Sequence, residues 1–194
     1  LPWRYAIGCI DDLGLILRSE IVWSKPNGLP ESVSDRVRRS HEQWFHFTLE
    51  PRYFSAVDEI REPWAVGSRN GAGVGTTYTA DGAATHGVGS STLGPVGADA
   101  GHPLGKVPGS VWSIPSEPLQ VPDHLGVDHF AAFPQEWPRR LILGWSPPDG
   151  VVLDPFAGTG TVPMVARALG RTGIGIDLSA DYLRLANWRV FESG

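Results

Sequence analysis

Residues 153–162 read "LDPFAGTGTV". The short apolar run "VVLD" at 151–154 ends in an acid, and two glycines one residue apart, Gly158 and Gly160, follow it. In "TVPMVARALG" the residues Val162, Val165, Ala166 and Leu169 share one helical face, with Gly170 as a C-terminal stop. "TGIGID" then reads as a second strand. Strand, glycine turn, helix and strand make a βαβ unit, which places the chain in the α/β class, with "VVLD" as a buried strand. Glycines in such a turn let a ligand reach the backbone and the exposed N–H groups of the helix start.

Two common ligands fit this turn poorly. A nucleoside triphosphate loop needs a lysine after its last glycine, where Thr161 and Val162 stand. A dinucleotide fingerprint has a third glycine for close helix–strand packing, and Pro163 occupies that place, which disfavours a pyrophosphate. Asp177, at the end of the second strand, can accept both hydroxyls of a ribose, so a nucleoside-containing ligand is expected. Asp154 puts a second anion nearby, which would repel phosphates yet suit an ammonium or sulfonium charge and points towards S-adenosylmethionine. The alternative for Asp154 is a turn-forming carboxylate bonded to amides of its own loop.

The rest of the chain is read around that unit. With 194 residues, 41% of them hydrophobic, it can bury one good-sized core, and one domain with a long insertion is expected. No apolar stretch approaches the roughly 18 residues that span a bilayer, and "LPWRYAIGCIDDLGLIL" has neither a basic leader nor a small-residue cleavage site. A lone cysteine, Cys9, excludes an internal disulfide framework, and a cytoplasmic location is expected. The net charge of -5 argues against gripping nucleic acid by bulk electrostatics, so any such contact must be local. "DRVRRSH" offers one, in Arg36, Arg38 and Arg39, against the alternative of an ordinary solvated loop. His41, His46, His86, His102, His124 and His129 show no metal-ligand spacing, so no metal site is expected, and no Gly-x-Ser-x-Gly elbow for a hydrolytic nucleophile occurs.

Trp3, Ala6, Ile7, Ile10 and Leu13 fall on one helical stripe over residues 3–13, with Gly14 as its stop. "LILRSEIVWSK" favours a strand that the loop at Pro26, Asn27, Gly28 and Pro30 ends, and "QWFHFTL" alternates with a period of two, so 1–64 reads as a helix plus a β-hairpin that "RYFS" extends or pairs with. Half of the chain's 24 glycines lie between 65 and 109, where Tyr78 is the only aromatic residue. A flexible Gly-rich insertion over 65–110 follows, because so little apolar surface cannot offset the ordering entropy. Order returns over 111–194, through "GSVWSIP", a helix carrying Leu141, Ile142 and Trp145, the βαβ unit, and a last helix "SADYLRLANWRVF" with Ser179 as N-cap and Asp181 in the first turn.

"HFAAFP", then "LDPFAGTGT", then "GIGIDLSADY" resembles the cofactor half of the DNA amino-methyltransferases, which modify adenine N6 or cytosine N4. The resemblance implies a Rossmann-like S-adenosylmethionine-dependent methyltransferase sheet with a β-hairpin and a long insertion, in the circularly arranged class whose cofactor motif is C-terminal. By it, Asp154, Pro155, Phe156, Gly158, Gly160 and Thr161 form the cofactor loop, Asp177 binds the ribose, and His129, Phe130, Phe133 and Pro134 border the methionine end. For these aromatics core packing is the alternative. "IVWSKPNGLPESVSDR", "HEQWFHFTLEPRYF" and "IREP" are similar to the family's segments upstream of its insertion, so the resemblance covers the chain except 65–110. The insertion lies where the family puts its target-recognition region, double-stranded DNA is the implied partner, and all parts are expected to form one structural domain.

The family's catalytic signature is Ser, Asp or Asn, then Pro-Pro, then Tyr, Phe or Trp. The polar group and a proline carbonyl accept hydrogen bonds from the exocyclic amine, while the ring stacks on the flipped base. No such tetrad occurs in the chain, and "SPPD" at 146–149 ends in an acid and reads as a turn. The resemblance places the tetrad upstream of Leu1, with the sheet incomplete at its N-terminus and the isolated chain inactive. Two other functions compete: an NAD-dependent oxidoreductase, against which Pro163 and the bordering aromatics count, and a non-catalytic DNA- or partner-binding module on a degenerate cofactor fold.

Overall fold

The computed structural model describes residues 1–28, 30–64, 102–119, 121–127 and 133–192, and the backbone of 76–78 and 84–86. In chain order the elements are α1 (Pro2–Asp11), β1 (Ile16–Ser24), β2 (His41–Thr48), β3 (Thr76–Tyr78), β4 (Ala84–His86), β5 (Val111–Ser113), α2 (Glu136–Trp145), β6 (Val151–Asp154), α3 (Thr161–Ala168), β7 (Thr172–Gly175) and α4 (Ala180–Phe191), with single 3-10 turns at Val57–Ile60 and Asp123–Leu125. The chain divides into two compact units, Leu1–Ala56 with Gly109–Gly194, and Val57–Pro108.

In the first unit the expected hairpin forms: β1 and β2 pair antiparallel, and β5 joins the other side of β1 in parallel. Alternation along β1 sends Ile21 and Trp23 inward. Trp23 lies opposite Trp112 of β5, and both pack on Trp137 of α2, with ring centroids 5.9 and 4.9 Å away. Trp44 of β2 completes the cluster, 4.8 Å from Trp137. Trp137 is fully buried, and its Nε1–H finds no hydrogen-bond partner among the described residues. Such an unpaired donor costs free energy that burial against three neighbouring indoles, one stacked, one tilted and one edge-on, offsets. "RYFS" does not extend the hairpin: residues 52–55 form no strand, because Tyr53 instead packs on His46 and under the Arg18 guanidinium.

α1 forms where periodicity places it, and Gly14, at φ +65°, closes it by donating to the Ile10 carbonyl. Its expected stripe is out of phase, however. Ala6 and Cys9 are buried, whereas Ile7, Ile10 and Leu13 are exposed. Small residues let the helix lie close, and Trp3 reaches Phe45 edge-on at 5.1 Å.

The last part of the first unit is the expected βαβ. β6 and β7 pair in parallel, and α3 crosses between them over one face. Val165 and Ala166 are buried there with Ile142 of α2, and Gly170 ends the helix at φ +73°. "VVLD" is only half buried: Val151 and Leu153 are exposed on the face away from α3, as is Ile174 on β7. α3 sits unusually close to the strand, because a Cβ at Gly173 would lie 2.5 Å from the Pro163 Cα, and one at Gly175 2.8 Å from the Ala157 Cβ. The close approach that a third loop glycine would give is supplied from the strand side, so Pro163 does not weaken the packing. "SPPD" is the turn into β6, closed by Gly150 N–H donating to Pro147 O at 3.0 Å.

The second unit begins ahead of the expected insertion, because Glu62 and Lys106 exchange both backbone hydrogen bonds and Arg61 donates to the Gly105 carbonyl. β3 and β4 pair antiparallel within it. The expectation of a flexible segment over 65–110 falls mostly outside the described residues. Among the described residues no helix is long and apolar enough to cross a membrane.

Two outcomes follow from this packing. Gly173→Ala, which drives a methyl into Pro163, should lower stability by about 1–3 kcal/mol in urea denaturation, whereas Gly109→Ala, which meets nothing, should change little. Burial, and secondarily the Arg18 charge, lower the His46 pKa from 6.5, so the unfolded chain takes up that proton first. Stability should therefore be full above about pH 6.5 and fall as pH drops below it, and His46→Phe should flatten that slope in urea midpoints measured between about pH 7.5 and pH 5.5.

Candidate cofactor-binding site

The glycine loop leaves β6 at Asp154 and is tied down at every step. Asp154 Oδ1 accepts from the Phe156 amide at 3.0 Å, the turn-forming role, while its backbone carbonyl accepts from Ile176 at 2.9 Å. Ala157 N–H donates to the Ile176 carbonyl at 2.9 Å, which prolongs the parallel ladder past both strands. The chain then turns through Gly158 at φ +52° and Gly160 at φ +78°, backbone angles that favour glycine. Gly160 has a second reason to lack a side chain: a Cβ there would stand 2.6 Å from the Ala186 Cβ of α4. Close packing by itself demands that glycine.

Asp177 holds the loop from the strand side. Its Oδ2 accepts from the Gly158 amide at 2.8 Å and its Oδ1 from the Ser179 amide at 2.8 Å. Each carboxylate oxygen keeps a second lone pair for a ligand hydroxyl. Ser179 in turn caps α4 by accepting from Tyr182 N–H, as its sequence position predicts. Gly160 caps α3 without a side-chain bond to the first-turn N–H groups.

Arg189 holds the loop from the helix side. Its Nη1 lies 2.9 Å from the Thr159 carbonyl, 3.1 Å from Thr159 Oγ1 and 2.9 Å from Thr161 Oγ1. Both threonines are buried, and the Thr161 hydroxyl is turned to Arg189. Burial pulls the Arg189 pKa down from its ordinary value, with Glu117 acting the other way. The sequence reading missed this residue. Its signal was an arginine one helical turn after Leu185 and Ala186, on the face of α4 that is buried.

The remaining expected residues divide. Phe156 is 88% exposed at the loop tip beside exposed Pro155. Phe133 meets Trp44 edge-on at 6.0 Å, and Pro134 is buried and accepts from Trp137 N–H, so both serve packing. His129 and Phe130 lie outside the described residues. Arg36, Arg38 and Arg39 are exposed on the connection between β1 and β2. Arg36 pairs with Asp35 at 3.0 Å, and Arg39 Nε donates to the His41 carbonyl at 3.3 Å. Among the described residues no group of three or more His, Cys, Asp or Glu side chains is placed to hold a metal ion.

Comparison with known proteins puts this geometry in context. Type II methyltransferase M.XycI of Xanthomonas campestris pv. cyanopsidis is 36% identical over 190 residues, which cover 98% of this chain and 49% of that protein. The chain spans about half the length of the curated relatives it matches. Among solved structures, the cytosine-N4-specific PvuII DNA methyltransferase superposes with a TM-score of 0.69 at 18% identity, over all of this chain and 57% of that one. The M1.HpyAVI–SAM complex gives 0.56 at 17% identity, over 97% and 69%. These two likenesses establish the fold, a Rossmann-like methyltransferase arrangement. Residues 5–188 match the DNA methylase family N6_N4_Mtase, and with nearly the whole chain inside that match, the chain belongs to this family.

Proposed function

We propose that this chain is the cofactor-holding part of a DNA methyltransferase that moves a methyl group from S-adenosylmethionine to the exocyclic amine of adenine (N6) or cytosine (N4). The observation that carries the reading is the Asp177 carboxylate, pinned by two amides at the mouth of the glycine loop with lone pairs to spare. A carboxylate so held is preoriented for the two hydroxyls of a ribose, and no reorganisation is needed when they arrive. The chemistry of the surrounding groups fits the rest of such a ligand. Phe156 offers an exposed ring on which a base can lie, Asp154 supplies a negative charge that suits a cationic ligand, and the start of α3, which no side chain caps, suits a carboxylate. M1.HpyAVI, of the same fold, is a SAM complex. His129, Phe130, Phe133 and Pro134 complete the proposed set at the methionine end, Phe133 and Pro134 as packing that backs it.

When bound, S-adenosylmethionine supplies an electrophilic methyl group on a sulfonium. Asp177 and the loop amides fix the ligand's place, and positioning of this kind lowers the entropic part of the barrier. The polar-Pro-Pro-aromatic tetrad has no match within these 194 residues, and the catalytic groups are proposed to lie in the part of the relatives' length that this chain does not span. Arg36, Arg38 and Arg39 are proposed to contact backbone phosphate, which positions DNA without reading its sequence, and residues 65–110 to form the target-recognition region. The cytoplasm, where the DNA is, is the proposed location.

Calorimetric titration with S-adenosylmethionine tests the site. Asp177→Ala should weaken binding by about 10-fold or more, since hydrogen bonds to a charged group are worth about 1.5–3 kcal/mol, and NAD should not displace the ligand. Equal affinity of the variant, or displacement by NAD, would remove the proposed pocket. For the DNA surface, replacing Arg36, Arg38 and Arg39 by alanine should weaken duplex binding evenly across sequences and flatten its dependence on salt, and unchanged affinity at every salt concentration would take them out of the interface.

A further inference from the structure

Arg189 stands in the last turn of α4, yet its donors serve the start of α3. Three features of that placement need a common explanation. A guanidinium that gives up part of its hydration must regain it in hydrogen bonds, and here three of them go to one carbonyl and two threonine hydroxyls of the glycine loop. The two hydroxyls are themselves buried, and hydrophobic residues of similar shape would fill their space without needing a charged partner. The start of a helix carries partial positive charge, so a cation beside it works against the α3 dipole, which offsets what it gains at the C-terminal end of α4. Stability alone gives little reason for the three together.

We infer that Arg189 is a positioning residue for the loop, holding residues 159–161 in the bend that delivers the Gly158 amide to Asp177. The loop is then clamped between a carboxylate at the end of β7 and a guanidinium on α4, each bonded to a different part of it. Neither α3 nor the strands supply such bonds to Thr159, which sits between two glycines at positive φ and has no regular structure of its own. Without the arginine, the two glycines leave the loop free to sample other turns, and the ligand would bear the cost of ordering it. That consequence for cofactor binding rests on the proposed function; the clamping itself does not.

The test uses the 194-residue chain and two readouts, amide hydrogen exchange and S-adenosylmethionine titration. Arg189→Met should speed exchange at Gly158 and Gly160 by about 10-fold while protection in β1, β2 and β5 is retained, and should weaken cofactor binding by a similar factor. Arg189→Lys, which keeps the charge but not the fork, should recover only part of either effect. Arg167→Met, which removes a neighbouring cation stacked on Phe191, should leave both unchanged. Adding Arg189→Met to a Thr159→Val, Thr161→Val chain should cost little more than either change alone, because the same bonds are lost. Unchanged loop exchange in Arg189→Met, or an even loss of protection across the whole unit in both Arg189 variants, would overturn the inference. Faster loop exchange in a chain whose parent does not bind S-adenosylmethionine would uphold the clamp and sink the cofactor reading instead.

Discussion

The approach of α3 to β7 is the constraint from which the rest of the site follows. Pro163 meets the strand where Gly173 and Gly175 present no side chains, and any Cβ at Gly173 would overlap the proline backbone. With the helix held that near, the connection from β6 has to rise and turn within a few residues. The two left-handed glycine positions, and the Asx-type turn at Asp154, are the geometry by which it does so. Gly160 then faces Ala186 at a distance that admits no side chain, so α4 is brought against the same loop. Helix, loop and second helix are therefore one packing problem with one solution.

Around that packed centre the charges are arranged to keep the loop in place. Asp177 takes the Gly158 amide and, by its other oxygen, the Ser179 amide at the start of α4. One side chain thus links the glycine loop to the cap of the next helix. Arg189 closes the circuit from the far end of that same helix. α4 is coupled to the loop at both of its ends, and a shift of the helix would have to break charged hydrogen bonds at each. Such bonds are individually worth more than neutral ones. This is how a segment containing two glycines can be ordered enough to serve as a binding surface.

Much of this was legible in sequence, and for identifiable reasons. The βαβ unit announces itself through local signals: the 3.6-residue period of Val162, Val165 and Ala166, the glycine at 170 and the cap at Ser179 all act within a turn of where they stand. The β1–β2 hairpin was likewise carried by alternation. Where the reading failed, a contact distant in sequence decided the outcome. The stripe on α1 is mis-phased because the sheet accepts its small member Ala6 together with Cys9, which the stripe left out, and leaves Ile7, Ile10 and Leu13 exposed. β6 was read as buried throughout, but only one of its faces meets α3. Residues 52–55 favour strand in isolation, yet Tyr53 is claimed by Arg18 and His46.

The site shows the same division. Asp177 and the two glycines could be found from sequence because each answers a rule about strand ends and turns. The packing roles of Thr161 and Pro163 could not be found that way, because those rules concern what a loop offers outward. Thr161 turns its hydroxyl inward to a guanidinium 28 positions away, and the glycines that admit Pro163 sit on the strand rather than in the loop. A motif specifies backbone path; which side chains back that path depends on the neighbour that packs behind it. Arg189 shows this most clearly, for on a helical wheel it is a polar residue on an apolar face, and the Thr159 carbonyl and two buried hydroxyls opposite give it partners there.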